Sequence, residues 1–178
     1  MIGLGWKVVV ISFLVLTPSV SISPQIDRVV VENSDEAHLQ QQLTAIADKY
    51  GSIAAFIYLQ PSLSNHEEHA MIQQAFFLAK HLKKPLTEAY SSCFLTVAHL
   101  DGKLGTGDTE YNPIAGGLLG LTKALRWEWE SVYCRAMDLG KDLDTATSVR
   151  HIVSELHDPN RLIAEVGYSS QGRGTLVT

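Results

Sequence analysis

Four short stretches hold the residue types from which a reaction centre could be built. His66, Glu67, Glu68 and His69 place two imidazoles and two carboxylates together, which invites a metal. The metalloprotease arrangement needs its histidines four apart on one helical face, with a Glu directly after the first. Here the spacing is three, so the stretch reads as a solvated first helical turn whose acids suit the helix dipole. Asp101, Asp108 and Glu110 lie in a polar loop, DGKLGTGDTEYN, and could surround a cation, but a solvated loop is the better account of them.

Phosphate chemistry needs glycines after a strand, so that backbone N–H groups at a helix N-terminus can approach a pyrophosphate. Gly3 and Gly5 have the first spacing, but Val8 stands at the third position and the glycines precede the first strand. Gly102, Gly105 and Gly107 fare no better, because Glu110 fills the last place. GLLGLTK has no glycine directly before Lys123, so it is not a Walker loop, and no Gly-x-Ser-x-Gly elbow occurs.

The elements that must position these groups alternate. Val8 to Leu16 reads as a buried strand by its β-branched residues. Lys7 before that run and small residues after it also outline a signal peptide over 1–23, which would make the chain a secreted binding protein. Arg28 to Glu32 is a second short strand. Asp35 or Ser34 caps a helix with Leu39, Leu43, Ile46, Ala47 and Tyr50 inward and Gly51 at its end. Ile53 to Leu59, apolar on both faces, is expected as a central parallel strand. Asn65 and Glu68 resemble a capping box for a helix with Met71, Ala75, Leu78 and Leu82 inward, ending near Pro85.

Cys93 to Leu100 and Val132 to Leu139 are further strands. Pro113 opens a helix reaching about Trp129, whose Gly116, Gly117 and Gly120 imply close packing on the side shared by Gly116 and Gly120. Thr145 to His157 is a helix with Val149, Ile152, Val153 and Leu156 inward, and a Gly-punctuated strand pair follows Leu162. One helix between successive strands demands a mostly parallel sheet with helices on both faces, an α/β, truncated Rossmann-like, doubly wound single domain over 1–178.

The 178 residues, 46% hydrophobic and 19% charged, suffice for one globular core. A net charge of -5 without a basic run argues against nucleic acid as a partner, and the apolar run near the N-terminus is too short to cross a membrane as a helix. Cys93 and Cys134, each within an apolar run, read as buried free thiols in a reducing, cytoplasmic setting.

Residues 112–139, NPIAGGLLGLTKALRWEWESVYCRAMDL, followed by EVGY at Glu165–Tyr168 and GRGTL at Gly172–Leu176, resemble the ketoreductase region of iterative polyketide synthases of the polyunsaturated fatty acid and heterocyst glycolipid type. GWKVVVISF and IAAFIYLQP resemble it more loosely. The resemblance implies the short-chain dehydrogenase superfamily and, within it, the non-catalytic structural half of a paired domain. The opening strand and helix that usually precede GWKVVV are missing. The resemblance puts Tyr111 in the family's catalytic Tyr position, with Ala115 where a Lys or Asn should follow and Asp101, Gly102 and Lys103 where a Ser belongs; Lys103 is a conceivable substitute base. It implies no cofactor or metal in this chain, NADPH in the catalytic half, and that half plus other synthase domains, including acyl carrier protein, as partners. A free-standing reductase using Tyr111 is the alternative.

Overall fold

The computed structural model describes residues 5–13, 22–60, 68–108 and 110–176. Within them the elements run β1 (Val9–Phe13), β2 (Asp27–Val31), α1 (Glu36–Tyr50), β3 (Ala55–Leu59), α2 (Glu68–Glu88), β4 (Cys93–Ala98), a 3₁₀ turn (Pro113–Ala115), α3 (Gly116–Glu128), β5 (Tyr133–Leu139), α4 (Thr145–Leu156), β6 (Glu165–Ser169) and β7 (Gly172–Gly174). The first strand expected over Val8 to Leu16 thus covers Val9–Phe13, and residues 14–21 lie outside the described part, as do the capping-box Asn65 and the pair His66 and Glu67.

Strands β3, β4, β5 and β6 form a parallel ladder in that order, and β7 adds antiparallel to β6. β1 and β2 pair in parallel as a separate two-stranded sheet. The helix-per-strand reading therefore holds, with one correction: β3 is an edge of its ladder, where the sequence suggested a central strand. Its apolar character has another cause. Phe56 stacks on Phe94 of β4, and Tyr58 donates a hydrogen bond to the Met71 carbonyl of α2.

Alternation along β4 and β5 assigns the two faces. Phe94 and Cys134 meet Leu39, Met71, Leu82 and Leu118 of α1, α2 and α3 in the larger core, which also takes in Phe13 and Val31 from the small sheet. Leu95, Val97, Met137 and Leu139 meet Ile152 and Leu156 of α4 on the other face. Helices thus cover both faces.

The caps fall where side-chain chemistry places them. Asp35 accepts from the His38 N–H at 2.8 Å, Gly51 turns out at φ +92°, and Asp144 accepts from the Thr147 N–H at 2.9 Å. α2 runs three residues past Pro85; a proline costs one intrahelical hydrogen bond, and the complete burial of Leu86 just beyond it outweighs that loss. Two inward assignments need revision. Val149 of α4 is about half exposed, and the inward place beside Ile152 and Leu156 belongs to Glu155. On α3, Gly116 and Gly120 have open space beside them among the described residues; Gly117 is the glycine in close contact, since a Cβ there would lie 2.5 Å from Ile72 Cδ1.

Candidate functional site at the carboxyl ends of the strands

Ligands of doubly wound sheets bind outside the carboxyl ends of the strands. In this chain those ends at β4, β5 and β6 are covered by the segment joining β4 to α3. It is laid down by three glycines. Gly102, at φ +72°, abuts the Tyr168 carbonyl and the Gly140 N–H so closely that no side chain fits. A Cβ on Gly167 of β6 would lie 2.5 Å from the Gly102 carbonyl oxygen and 3.3 Å from Lys103 Cα. Gly140, after β5, donates its N–H to the Tyr168 carbonyl at 2.8 Å.

Two carboxyl groups then fix the loop. Asp101 accepts from the N–H groups of Lys103 and Gly105, both at 2.8 Å, and of Gly107 at 2.7 Å. Asp138, the last but one residue of β5 and fully buried, accepts from Leu100 N–H at 2.8 Å and Leu104 N–H at 2.9 Å. Leu104 sits at φ +61°, a conformation that costs an L residue about 1 kcal/mol, and its bond to Asp138 holds it there. Burial alone would raise Asp101, but the N–H groups of Gly105, Lys103 and Gly107 outweigh it and hold the carboxyl below its ordinary range. For Asp138 burial prevails, and its carboxyl is pushed up.

The residues singled out by the resemblance lie against this loop. The Tyr111 hydroxyl donates to the Gly105 carbonyl at 2.9 Å, so it braces the loop from the α3 side. Ala115, one residue before α3, is buried with Leu100, Leu119 and Ala136, a surrounding that accepts a methyl group and would not accept a lysine ammonium. Lys103 follows Gly102 with its side chain near Gly107. His99 donates its backbone N–H to Gln60 Oε1 at 2.7 Å. The cation reading of Asp101, Asp108 and Glu110 is overturned for Asp101, because backbone donors occupy both its oxygens. No group of three or more metal-ligating side chains occurs among the described residues, and no described helix is long and apolar enough to cross a membrane.

The motif blocks are joined by contacts that sequence reading missed. Lys123 of GLTK pairs with Glu165 of EVGY at 2.8 Å. Thr122 of the same block, fully buried, shares a 2.6 Å hydrogen bond with Thr96 of β4. On the opposite face, fully buried Arg135 pairs with Glu155 and Asp158, and Arg173 of GRG reaches the same two carboxylates at 2.7 and 2.8 Å. Tyr168 donates to Glu155 at 2.6 Å and stacks on His151. The available signal was the pair of charges inside VYCRAMDL, an apolar strand where an unpartnered charge would be prohibitive.

No family model matches the chain, and no curated protein matches it in sequence. Solved structures do resemble it in fold. An apo SCOR enzyme from Clostridium thermocellum superposes with a TM-score of 0.66 at 14% identity, over 92% of this chain and 81% of the other. A-type ketoreductases from a modular polyketide synthase give 0.62 at 21% identity, over 85% of this chain and 32% of theirs. An NADPH-bound short chain oxidoreductase from Pseudomonas aeruginosa PAO1, with an atypical catalytic center, gives 0.51 at 11% identity, over 73% and 56%. The chain thus spans about a third of the ketoreductase length and little more than half of the Pseudomonas enzyme. Its fold is the Rossmann-like α/β fold of short-chain dehydrogenases, and at these identities the likeness extends to the fold alone.

Proposed function

We propose that residues 1–178 form a single non-catalytic structural subdomain that braces the catalytic half of an NADPH-dependent β-ketoacyl reductase in a cytoplasmic polyketide or fatty acid synthase. The observation that carries this reading is the closed loop at the strand ends. Where an enzyme of this fold would receive cofactor and substrate, the chain's own residues 101–107 lie on Gly140 and Gly167, with their N–H groups bound to Asp101 and Asp138. Tyr111 is turned to a backbone carbonyl, and Ala115 supplies no cation to activate its hydroxyl as an acid. Residues 14–21, LVLTPSVS, contain no glycine for a phosphate turn after β1.

In the assembly, hydride would pass from NADPH to the β-carbonyl of an acyl chain on a carrier-protein thioester, at residues outside this sequence. The outer side of α3 suits the catalytic half as occupant. Gly116 and Gly120 stand open there, and Trp127, on the same side by helical spacing, is 84% exposed. Titration of NADPH fluorescence with the purified chain should show no saturable micromolar binding, whereas co-expression with a catalytic half should give a complex that Trp127→Arg weakens. Saturable binding by this chain alone, with turnover abolished by Tyr111→Phe, would establish the free-standing reductase instead.

A further inference from the structure

The sheet runs on past its last helix on one side. α3 packs on β4 and β5 and reaches β6 through the Lys123–Glu165 ion pair at 2.8 Å. Val166 and Tyr168 of β6 face α4, which leaves Glu165, Gly167 and Ser169 on the α3 side by alternation. Three large apolar side chains stand around the ion pair. Arg126 donates to the carbonyls of Arg161 and Leu162 at 3.0 and 2.8 Å, so Leu162 is fixed beside the last turn of α3. Trp127 follows Arg126 and lies one turn beyond Lys123. Thr175 Oγ1 donates to the Glu165 carbonyl at 2.7 Å, and the β6–β7 register, continued by two residues, sets Leu176 opposite Glu165, on the face that meets Lys123. Leu162 is 86% exposed, Trp127 84% and Leu176 48%. Together they leave on the order of 400 Å² of apolar surface uncovered, the size at which a contiguous patch marks an interaction site.

We infer that the shelf formed by β6 and β7 beside α3 seats a helix of the catalytic ketoreductase half, with Leu162 and Leu176 as apolar anchors and Trp127 at its end. This rests on the function proposed above and extends its docking face from α3 onto the sheet. A parallel sheet needs cover on both faces, and two strands span about 10 Å, the diameter of a helix. The cations of the patch are matched within the chain: Lys123 on Glu165, Arg126 on two carbonyls, and Arg161 turned onto the Tyr133 ring, whose hydroxyl faces α4. Glu128 and Glu130, exposed at the end of α3, have no ion-pair partner among the described residues. Such a surface has nothing to hold lipid phosphates and suits a protein face that is apolar at its centre and basic at its rim. In the solved A-type ketoreductases the part that superposes on this chain is 32% of the whole, so about twice as much chain accompanies this fold there.

The test uses the full chain and the catalytic ketoreductase half from the same source genome, with affinity read by isothermal titration calorimetry. Leu162→Ser and Leu176→Ser alter exposed side chains, so circular dichroism should show unchanged folding, and each should weaken the complex by about tenfold or more. Glu128→Lys should weaken it chiefly at low salt. Val149→Ser, at an exposed apolar residue of α4 on the opposite face, should leave it unchanged. A complex indifferent to both leucine variants overturns the shelf while the function proposed above stands; absence of any complex overturns that function and the shelf with it. The chain alone supplies the remaining arms. A dimer in sedimentation velocity that Leu162→Ser dissociates would assign the patch to a second copy. Binding to vesicles of phosphatidylglycerol and phosphatidylcholine that Trp127→Arg abolishes would assign it to a membrane surface, and either result overturns the inference.

Discussion

Gly167→Ala tests whether the loop really rests on β6. The backbone at Gly167 lies outside the left-handed region, so alanine is conformationally allowed and any penalty is steric. Its Cβ would lie 2.5 Å from the Gly102 carbonyl oxygen, 2.9 Å from the Gly102 carbonyl carbon and 3.3 Å from Lys103 Cα. All three are backbone atoms of a loop tied by Asp101 and pressed at Gly102 against the Tyr168 carbonyl, so no flexible side chain can yield. Overpacking of this kind costs roughly 1–3 kcal/mol, and the backbone identity of every neighbour favours the upper half. Replacing a strand glycine returns roughly 0.5 kcal/mol of backbone entropy. The net loss of about 2 kcal/mol corresponds, at about 2–4 °C per kcal/mol for a chain of this size, to a fall of roughly 4–8 °C in Tm. Gly120→Ala is the matched control, because nothing lies within 4 Å of its Cβ position and a helix interior prefers alanine by about 1 kcal/mol. Thermal and urea denaturation of both variants, followed by circular dichroism, should move in opposite directions. An unchanged Gly167→Ala midpoint would refute the loop packing from which the closed strand ends are argued.

Asp101→Ala removes the acceptor of three N–H groups and should cost about 3 kcal/mol at neutral pH. The folded-state pKa of Asp101 is lowered from 3.8, so its stabilisation is present above that value and lost as pH falls below it; the deficit of the variant should shrink at pH 3 in urea titrations. In the other network, Arg135→Met should cost about 3–5 kcal/mol, because it leaves buried Glu155 short of its inner partner. Arg173→Met, whose side chain is 35% exposed, should cost much less, and an equal effect in chemical denaturation would contradict the assignment of Arg135 as the inner member. Burial pushes the Cys93 thiol up to about 11 and the Cys134 thiol up to about 12, so neither should react with an aromatic disulfide reagent at pH 8 until the chain unfolds.

Features carried by local chemistry were legible in the sequence. Asp35 caps α1 because a carboxylate at that position reaches the N–H three residues on, and Gly51 closes α1 because its φ excludes other residues. The 3.6 spacing of Leu39, Leu43 and Ile46 needed only a core to face. Features set by distant neighbours were less legible. IAAFIYL looks the same whether a strand borders it on both sides or on one, since α2 and Phe94 bury its side chains either way. The glycines of α3 announced a close contact without saying which of them makes it, because Gly116, Gly117 and Gly120 differ only in what stands opposite, and Ile72 is 45 positions away in the chain. Glu155 was passed over on α4 since its partners Arg135 and Arg173 come from two other elements. Of the candidate site, Tyr111 and Ala115 were identified only through the family resemblance. The role of Asp138 was not, although a carboxylate two residues after an alanine in an apolar strand is costly enough to demand one.

The closed strand ends follow from the accounting of backbone donors that every sheet of this topology faces. Where parallel strands end and the chain turns toward the next helix, N–H groups are left without ladder partners, and in a ligand-binding fold an anionic cofactor or substrate completes them. Here Leu100, Lys103, Leu104, Gly105 and Gly107 present five such donors, and two carboxyls of the chain complete all of them. An internal anion in the place of an external one stabilises the fold with no ligand bound, whereas an active site keeps its polar groups poised and thereby loses stability. The three close-packed glycines reinforce the same choice, because each removes a side chain that could otherwise line a crevice. A loop built this way is suited to hold the sheet rigid beside a neighbour that carries the chemistry, which is the work proposed for this chain.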